Sequence, residues 1–254
     1  MLSPPAAGYG RRVARKYVFC GNPANSKEDA FPLWLNEIGP GEGDLTHARS
    51  GGSWNTRGFD VKVRQVCSGC NNEWMSEMES RTKPLLVPFV LATRTAPIAP
   101  REQISIATWA FKTAIMLALA HPIEEPFVPL EDYSRFYIER KPPANTWIWV
   151  AGLVPIEGEV VRVAWSQPRQ LKYTLHRKGV CREKYGYRLA FSVGSLVIEV
   201  IREPIRGKLE RPREARDMFT RIRPVSPGKW PPGLWLSPAG LDDLVEGEVH
   251  VRKR

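Results

Sequence analysis

Three of the chain's four cysteines fall between Tyr17 and Trp74, and their spacing constrains the sequence more than any other feature. Val66-Cys67-Ser68-Gly69-Cys70-Asn71-Asn72-Glu73-Trp74 is a Cys-x-x-Cys followed by polar residues and then by the apolar spacing of a short helix. Upstream, Tyr17-Val18-Phe19-Cys20-Gly21 keeps the frame of a second such knuckle, with tyrosine at its first position. A tight turn between two thiolates brings both sulfurs to one side, and two such turns make the tetrahedral site that zinc prefers. Cys20, Cys67 and Cys70 are therefore the candidate metal ligands and Zn2+ the candidate structural ion; cysteines packed as small hydrophobes are the alternative. Tyr17 makes a poor fourth ligand, because structural zinc is held by Cys, His or carboxylate.

Between the two knuckles stands Ser26-Lys27-Glu28-Asp29-Ala30-Phe31-Pro32-Leu33-Trp34-Leu35. Knuckle, acidic-aromatic segment and Cys-x-x-Cys-Asn-Asn-x-Trp, in that order and over roughly residues 11 to 90, resemble the HNH (ββα-metal) endonuclease family in its zinc-knuckle subgroup. The resemblance implies a histidine general base that draws a proton from the attacking water. It also implies one divalent cation, Mg2+ or Mn2+, that stabilises the charge developing on the leaving oxygen. Carried over residue by residue, Glu28 falls on the acidic metal-holding position, Asn71 on the position that opens the helix, and Asp29 on the base. Tyr17 in place of cysteine and Asp29 in place of histidine depart from the family pattern. An unperturbed Asp titrates near ~3.9 against ~6.5 for His, so Asp29 is a weak base near neutrality. Removing a general base typically loses on the order of a hundred- to ten-thousand-fold in rate. The expectation is a nuclease-derived nucleic-acid-binding protein whose metal-dependent phosphodiester hydrolysis is impaired. The alternative is a catalytically inactive structural or interaction protein that retains the fold.

Each of these residues also has a plainer reading. His47, the one histidine in the first 120 residues, lies in the insertion between the knuckles: a substitute base, a fourth zinc ligand or a solvated loop residue. Glu28 and Asp29 read equally as surface carboxylates or a helix cap, and Asn71 and Asn72 as caps of the following helix. Trp74, Met75 and Met78 have the spacing of a buried helix face, and Phe31 to Leu35 that of core rather than of a base-stacking platform.

A net charge of +10 over 254 residues favours polyanionic partners, DNA before RNA, since binding a phosphate backbone releases condensed counterions. The basic residues gather in two places. Arg11, Arg12, Arg15 and Lys16 precede the first knuckle, and Arg206, Lys208, Arg211, Arg213, Arg216 and Arg221 lie within 202–223, partly offset by Glu203, Glu210, Glu214 and Asp217. A protein partner or a homo-oligomer is also compatible with this charge. No run of about 18 apolar residues reads as a membrane span, and no charged leader precedes an apolar stretch at the N-terminus. The cysteine usage suits a reducing cytoplasm. The family's modules occur in mobile elements, phages and antiviral defence.

Taken in order, residues 1–10 read as a flexible tail, 11–97 as the HNH-like module and 98–254 as a larger α+β domain. Within the module, 39–58, rich in Gly, Ser, Thr and Asn, reads as a long loop or a small irregular insertion, 59–66 alternates as a strand, and a helix runs from about Asn71 to Thr82 and stops near Pro84. Residues 102–120 form the strongest helix, apolar on most sides. A short helix follows near 131–139. Strands are then expected at 146–153, 159–165, 171–176, 187–193 and 196–202 as an antiparallel meander, with a hairpin at Val193-Gly194-Ser195-Leu196. Arg213 to Arg221 reads as a basic helix, Cys181 as a partly buried strand cysteine, and Ser237-Pro238 as the cap and first turn of a final helix. No internal repeat, Gly-rich phosphate loop or Ser-His-Asp arrangement is present.

Overall fold

The computed structural model describes residues 18–38, 44–49, 52–57, 59, 61–120, 127–155, 163–166, 168–177, 180–205, 209, 211 and 215–246, with backbone alone at 44–49, 52–57, 175–177, 180 and 246. It is an α+β fold built around one antiparallel-dominated sheet of eight strands.

The strand β5 (Thr146–Gly152) shows why the sheet is layered on both sides. Its whole length is buried, and successive side chains point to opposite faces: Ile148 and Val150 join the main core, while Trp147, Trp149 and Ala151 enter two clusters on the other face. Its neighbours are β9 (Leu196–Arg202) and β10 (Phe219–Arg223), both antiparallel. β9 continues into β8 (Val180–Val193), which carries β7 (Arg169–Arg177) over one part of its length and β6 (Val163–Trp165) over another. Gly194, at a φ of 55°, makes the β8–β9 turn, and a Cβ there would come within 2.5 Å of the Val90 carbonyl oxygen. That close approach allows Ser195 N–H to donate to the same oxygen at 2.9 Å.

The main-core face is covered by α4 (Pro100–Ala120), which is apolar nearly all round, as a helix buried on several sides must be. It is the one described helix long and apolar enough to cross a membrane, and 67% of its most apolar window is buried inside the protein. Trp109 of α4 meets Phe191 of β8 at 6.0 Å between ring centroids. Phe31 wedges beside them, 6.2 Å from Phe191 and 6.0 Å from Trp165, so the cysteine-bearing segment and the sheet share one continuous core. On the opposite face α6 (Pro238–Glu246) buries Leu241 and Val245, its first turn held by Ser237 Oγ accepting from Gly240 N–H at 3.1 Å. The helix α5 (Leu130–Glu139) packs Tyr133 and Phe136 against the main core.

Several expectations are corrected. Much of the 39–58 segment is a hairpin, not a loop: β2 (Asp44–Arg49) and β3 (Gly52–Arg57) pair antiparallel, and β2 joins the large sheet parallel to β6. Threonines and Trp54 suit strands, but the polar composition hid them. The sheet order β10-β5-β9-β8-β6-β2-β3 is therefore not a simple meander. Pro84 and Pro88 lie inside α3 (Ser76–Val90) rather than ending it. Burial of Leu86, Phe89 and Val90 in the core offsets the ~3 kcal/mol that an interior proline typically costs. Residues 219–221 of the expected basic helix belong instead to strand β10. Cys181 lies on β8 but is exposed. The 1–10 tail and residues 159–162 of one expected strand lie outside the described residues.

Candidate functional site

The segment 18–27 folds back onto 66–71 through short polar ties. Ser26 donates from both its N–H and its hydroxyl to the Val66 carbonyl, at 3.2 and 2.9 Å, and Ser68 N–H donates to Asn25 Oδ1 at 2.8 Å. Gly21, at a φ of 81°, supplies the left-handed turn that Cys20 needs to come round. These ties bring Cys20 Sγ to 3.3 Å from Cys67 Sγ, and all three sulfurs lie within 4.8 Å of one another. Thiolates about a tetrahedral ion at ~2.3 Å stand roughly 3.8 Å apart, so the three cysteines could hold a metal ion. Cys67 caps the short helix α2 (Ser68–Cys70), its sulfur accepting from Cys70 N–H at 3.3 Å. Burial pushes the Cys70 thiol up to about 12. Burial pushes the Cys20 thiol the same way, but hydrogen bonds from the Asn22 backbone, Cys67 and Cys70 outweigh it and lower its pKa.

The chain runs from α2 into a five-residue π turn, Asn71–Met75, and then into α3. The wider turn places Met75 fully in the core while Asn71 looks back across to the opposite segment, its Nδ2 donating to the Lys27 carbonyl at 3.3 Å. Asn71 is thus not the N-cap; the helix has already begun, and Cys67 caps its start. Lys27 leads into β1 (Glu28–Asp29), which pairs antiparallel with β4 (Lys62–Val63), Glu28 against Val63 and Asp29 against Lys62. The strand expected over 59–66 is confined to those two residues. Glu28, Asp29, Asn71 and Asn72 line one cleft of about 350 Å³ together with Pro32, Leu33, Trp34, Ser76, Glu79, Ser80 and Lys83. Around it Phe31 and Leu35 are fully buried as core, whereas Leu33 stands 61% exposed.

Neither carboxylate of β1 is free. Asp29 Oδ1 takes Lys62 Nζ at 3.0 Å, across the strand pair. Glu28, far from being a surface group, is 4% exposed, and its Oε1 lies 2.6 Å from Lys112 Nζ. The same ammonium is 2.6 Å from Glu79 Oε1 and donates to the Asp29 carbonyl at 3.2 Å. Lys112 is wholly buried in the middle of α4. Burial pulls its ammonium down, but Glu79 and Glu28 more than reverse this and hold it above its ordinary value. Burial raises Glu28 well enough that Lys112 only partly counters it. The Mg2+ or Mn2+ ion expected between Glu28 and Asn71 does not fit this arrangement, since a positive charge already bonds the carboxylate oxygen it would use.

Lys112 and Glu79 escaped the reading of the sequence. Their signal was present: Lys112 is the one charged residue in α4 after Glu102, and a charge on an all-apolar helix calls for a buried partner. Of the other expected site residues, Tyr17, Arg11, Arg12, Arg15, Lys16, Arg206, Lys208 and Arg213 lie outside the described residues, as does the side chain of His47, whose backbone is in β2. Arg216 is exposed, its Nε donating to the Arg211 carbonyl at 3.3 Å. Part of the second basic cluster is drawn inward into internal contacts. Arg211 pairs with Glu199 and lies over Trp149 and Phe219, at 4.9 and 3.5 Å from their ring centroids, while Arg223 Nη2 donates to the Pro142 carbonyl at 2.6 Å.

No protein-family model matches this chain, and no curated protein or solved structure does either.

Proposed function

We propose that this chain is a nuclease-derived nucleic-acid-binding protein on an HNH-like ββα plan, with zinc held by Cys20, Cys67 and Cys70 and with phosphodiester hydrolysis impaired. The observation that carries the reading is the shared cleft: Glu28 and Asp29 from β1 line it with Asn71 from the start of the helix, directly beside the three-cysteine cluster. Impairment follows from chemistry at two residues. Asp29 stands where the family has histidine and is already paired to Lys62, and Glu28 is bonded to Lys112. With hydrolysis impaired, what remains is recognition of phosphate by a chain of net charge +10, with DNA the preferred polyanion.

Gel retardation of duplex DNA, single-stranded DNA and RNA across a salt series tests this directly. The expected result is retention that weakens steeply with salt, and supercoiled plasmid that stays intact in Mg2+ or Mn2+. Elemental analysis should find one zinc per chain, lost in Cys67→Ser. A second reading, a structural or interaction protein on the same fold, is favoured by the neutralisation of both β1 carboxylates by lysines. Absence of retention at low salt would select it, and rapid metal-dependent cutting would retire both.

A further inference from the structure

We infer that the Lys112 ammonium is a tethered cation filling a seat whose oxygens suit a divalent metal ion, so that the chain carries its own replacement for the ion. The seat has three hard oxygen donors: Glu28 Oε1 and Glu79 Oε1, each 2.6 Å from Nζ, and the Asp29 carbonyl at 3.2 Å. Two carboxylates and a carbonyl are the donor set of magnesium, manganese and calcium, not of a soft ion. What lifts these residues above an acidic cluster is that a cation is already bound among them, and completely buried.

The charge count points the same way. Two carboxylates around one ammonium leave the cluster with one negative charge in excess, whereas a divalent ion in the same place would balance it. The two carboxylate distances are compatible too, since Ca2+ binds oxygen at ~2.3–2.6 Å, while the Asp29 carbonyl at 3.2 Å has to move inward to join them. Glu28 and Glu79 both line the cleft, and the Glu79 side chain retains 18% exposure, which gives an ion a path in once the lysine stem is gone. The consequence for the protein as it stands is that the charge at the head of the cleft is fixed, whatever the metal supply. This rests on the reading of the cleft as the remnant of a nuclease site, but metal occupancy is measured without any nucleic acid, so the two can fail separately.

The test is Mn2+ binding, followed by electron paramagnetic resonance, to the wild-type chain, Lys112→Ala, Lys112→Met and the double variant K112A/E79Q. The wild type should take up no tightly bound Mn2+. K112A should bind one ion at least tenfold more tightly than wild type, and K112A/E79Q should lose it again. K112M keeps most of the aliphatic stem and should bind less well than K112A. Wild-type chain that binds Mn2+ as tightly as K112A, or folded K112A that binds none, would overturn the inference. If K112A and K112M are unfolded on their own, millimolar Mn2+ should restore near-native circular dichroism; failure to do so would also overturn it, because an ion able to replace the ammonium would restore the fold.

Discussion

Two buried charge clusters lie on opposite faces of the sheet, and they are mirror images in stoichiometry. At the cleft, one ammonium, Lys112, is shared by two carboxylates, Glu28 and Glu79. Behind the sheet, one carboxylate, Glu199, is shared by two guanidiniums, Arg188 at 2.6 Å and Arg211. Burial pulls both arginines below their ordinary values, yet guanidinium remains charged at neutral pH, so this cluster keeps an excess positive charge. That excess is met by other means: Arg211 lies against Trp149 and Phe219, and Arg188 Nη2 donates to the Leu244 carbonyl of α6 at 2.7 Å. The aromatic cluster makes the rear site a sealed fastening between strands β8, β9 and the 211 region. The front site is open to a cleft, and its excess is negative. The same kind of buried network is structural where it is closed and exchangeable where it faces solvent.

The largest expected effect lies in the sealed cluster. Glu199→Gln leaves two guanidiniums buried around a neutral amide and should cost ~3–5 kcal/mol of stability by urea denaturation, with no change in metal binding. A cost below about 1 kcal/mol would mean that the aromatic contacts alone hold the arginines, and the contrast between the two sites would collapse. Lys112→Met, the counterpart at the front, should cost about 3 kcal/mol in chelator, since it strands two carboxylates, one of them almost fully buried.

The two clusters also differ in pH response. Lys112 titrates above its ordinary 10.5 when folded, so its contribution is complete below 10.5 and is lost as pH climbs through the raised folded value. The stability difference between wild type and K112M should therefore be flat up to 10.5 and shrink above it. A difference that shrinks already between neutral pH and 9 would show that the carboxylates do not hold the proton. On the acid side, Glu28 has a folded value raised above 4.5, so the folded chain takes up that proton before the unfolded chain does, and acidification costs nothing at this residue.

A smaller effect separates the two partners of Lys112. Glu79→Gln should cost ~1–2 kcal/mol, because a charge-assisted bond is lost while Glu28 still holds the ammonium. Glu28→Gln should cost less, since burial already disfavours its charged form. The reverse order would identify Glu28 as the principal counterion.

How much of this was legible follows from sequence distance. The three-cysteine cluster was readable because Cys67 and Cys70 sit on one local turn and Gly21 marks the other. The cleft residues Glu28, Asp29 and Asn71 were readable only through the order of their motifs, and the α+β class through the switch from helical to alternating periodicity after residue 145. Hairpin β2–β3 was missed because its strands are short and polar and gain their place from pairing with β6, far along the chain. The extension of α3 through two prolines was missed because local propensity points to a stop and only the core contacts of Phe89 and Val90 oppose it. Lys112 and Glu79 meet across a turn between helices that no local pattern encodes. A lone lysine in an apolar helix announces that a partner exists, not which one.

The smallest expected change in stability bears most on function. Asp29→His restores the side chain expected of a general base and removes the partly exposed pair to Lys62, at a cost of ~0.5 kcal/mol. If the base alone were missing, this variant would nick plasmid in Mn2+. With the ammonium in the cation seat, D29H alone should leave supercoiled DNA intact over hours, while D29H/K112A should nick it at a rate at least tenfold above either single variant. Cleavage by D29H alone would mean that Lys112 does not stand in the ion's way, and the distinction between an exchangeable front cluster and a fixed rear one would rest on stability alone. Cleavage by neither would place the defect outside both residues, with Asn71 and the cysteine cluster next to be varied.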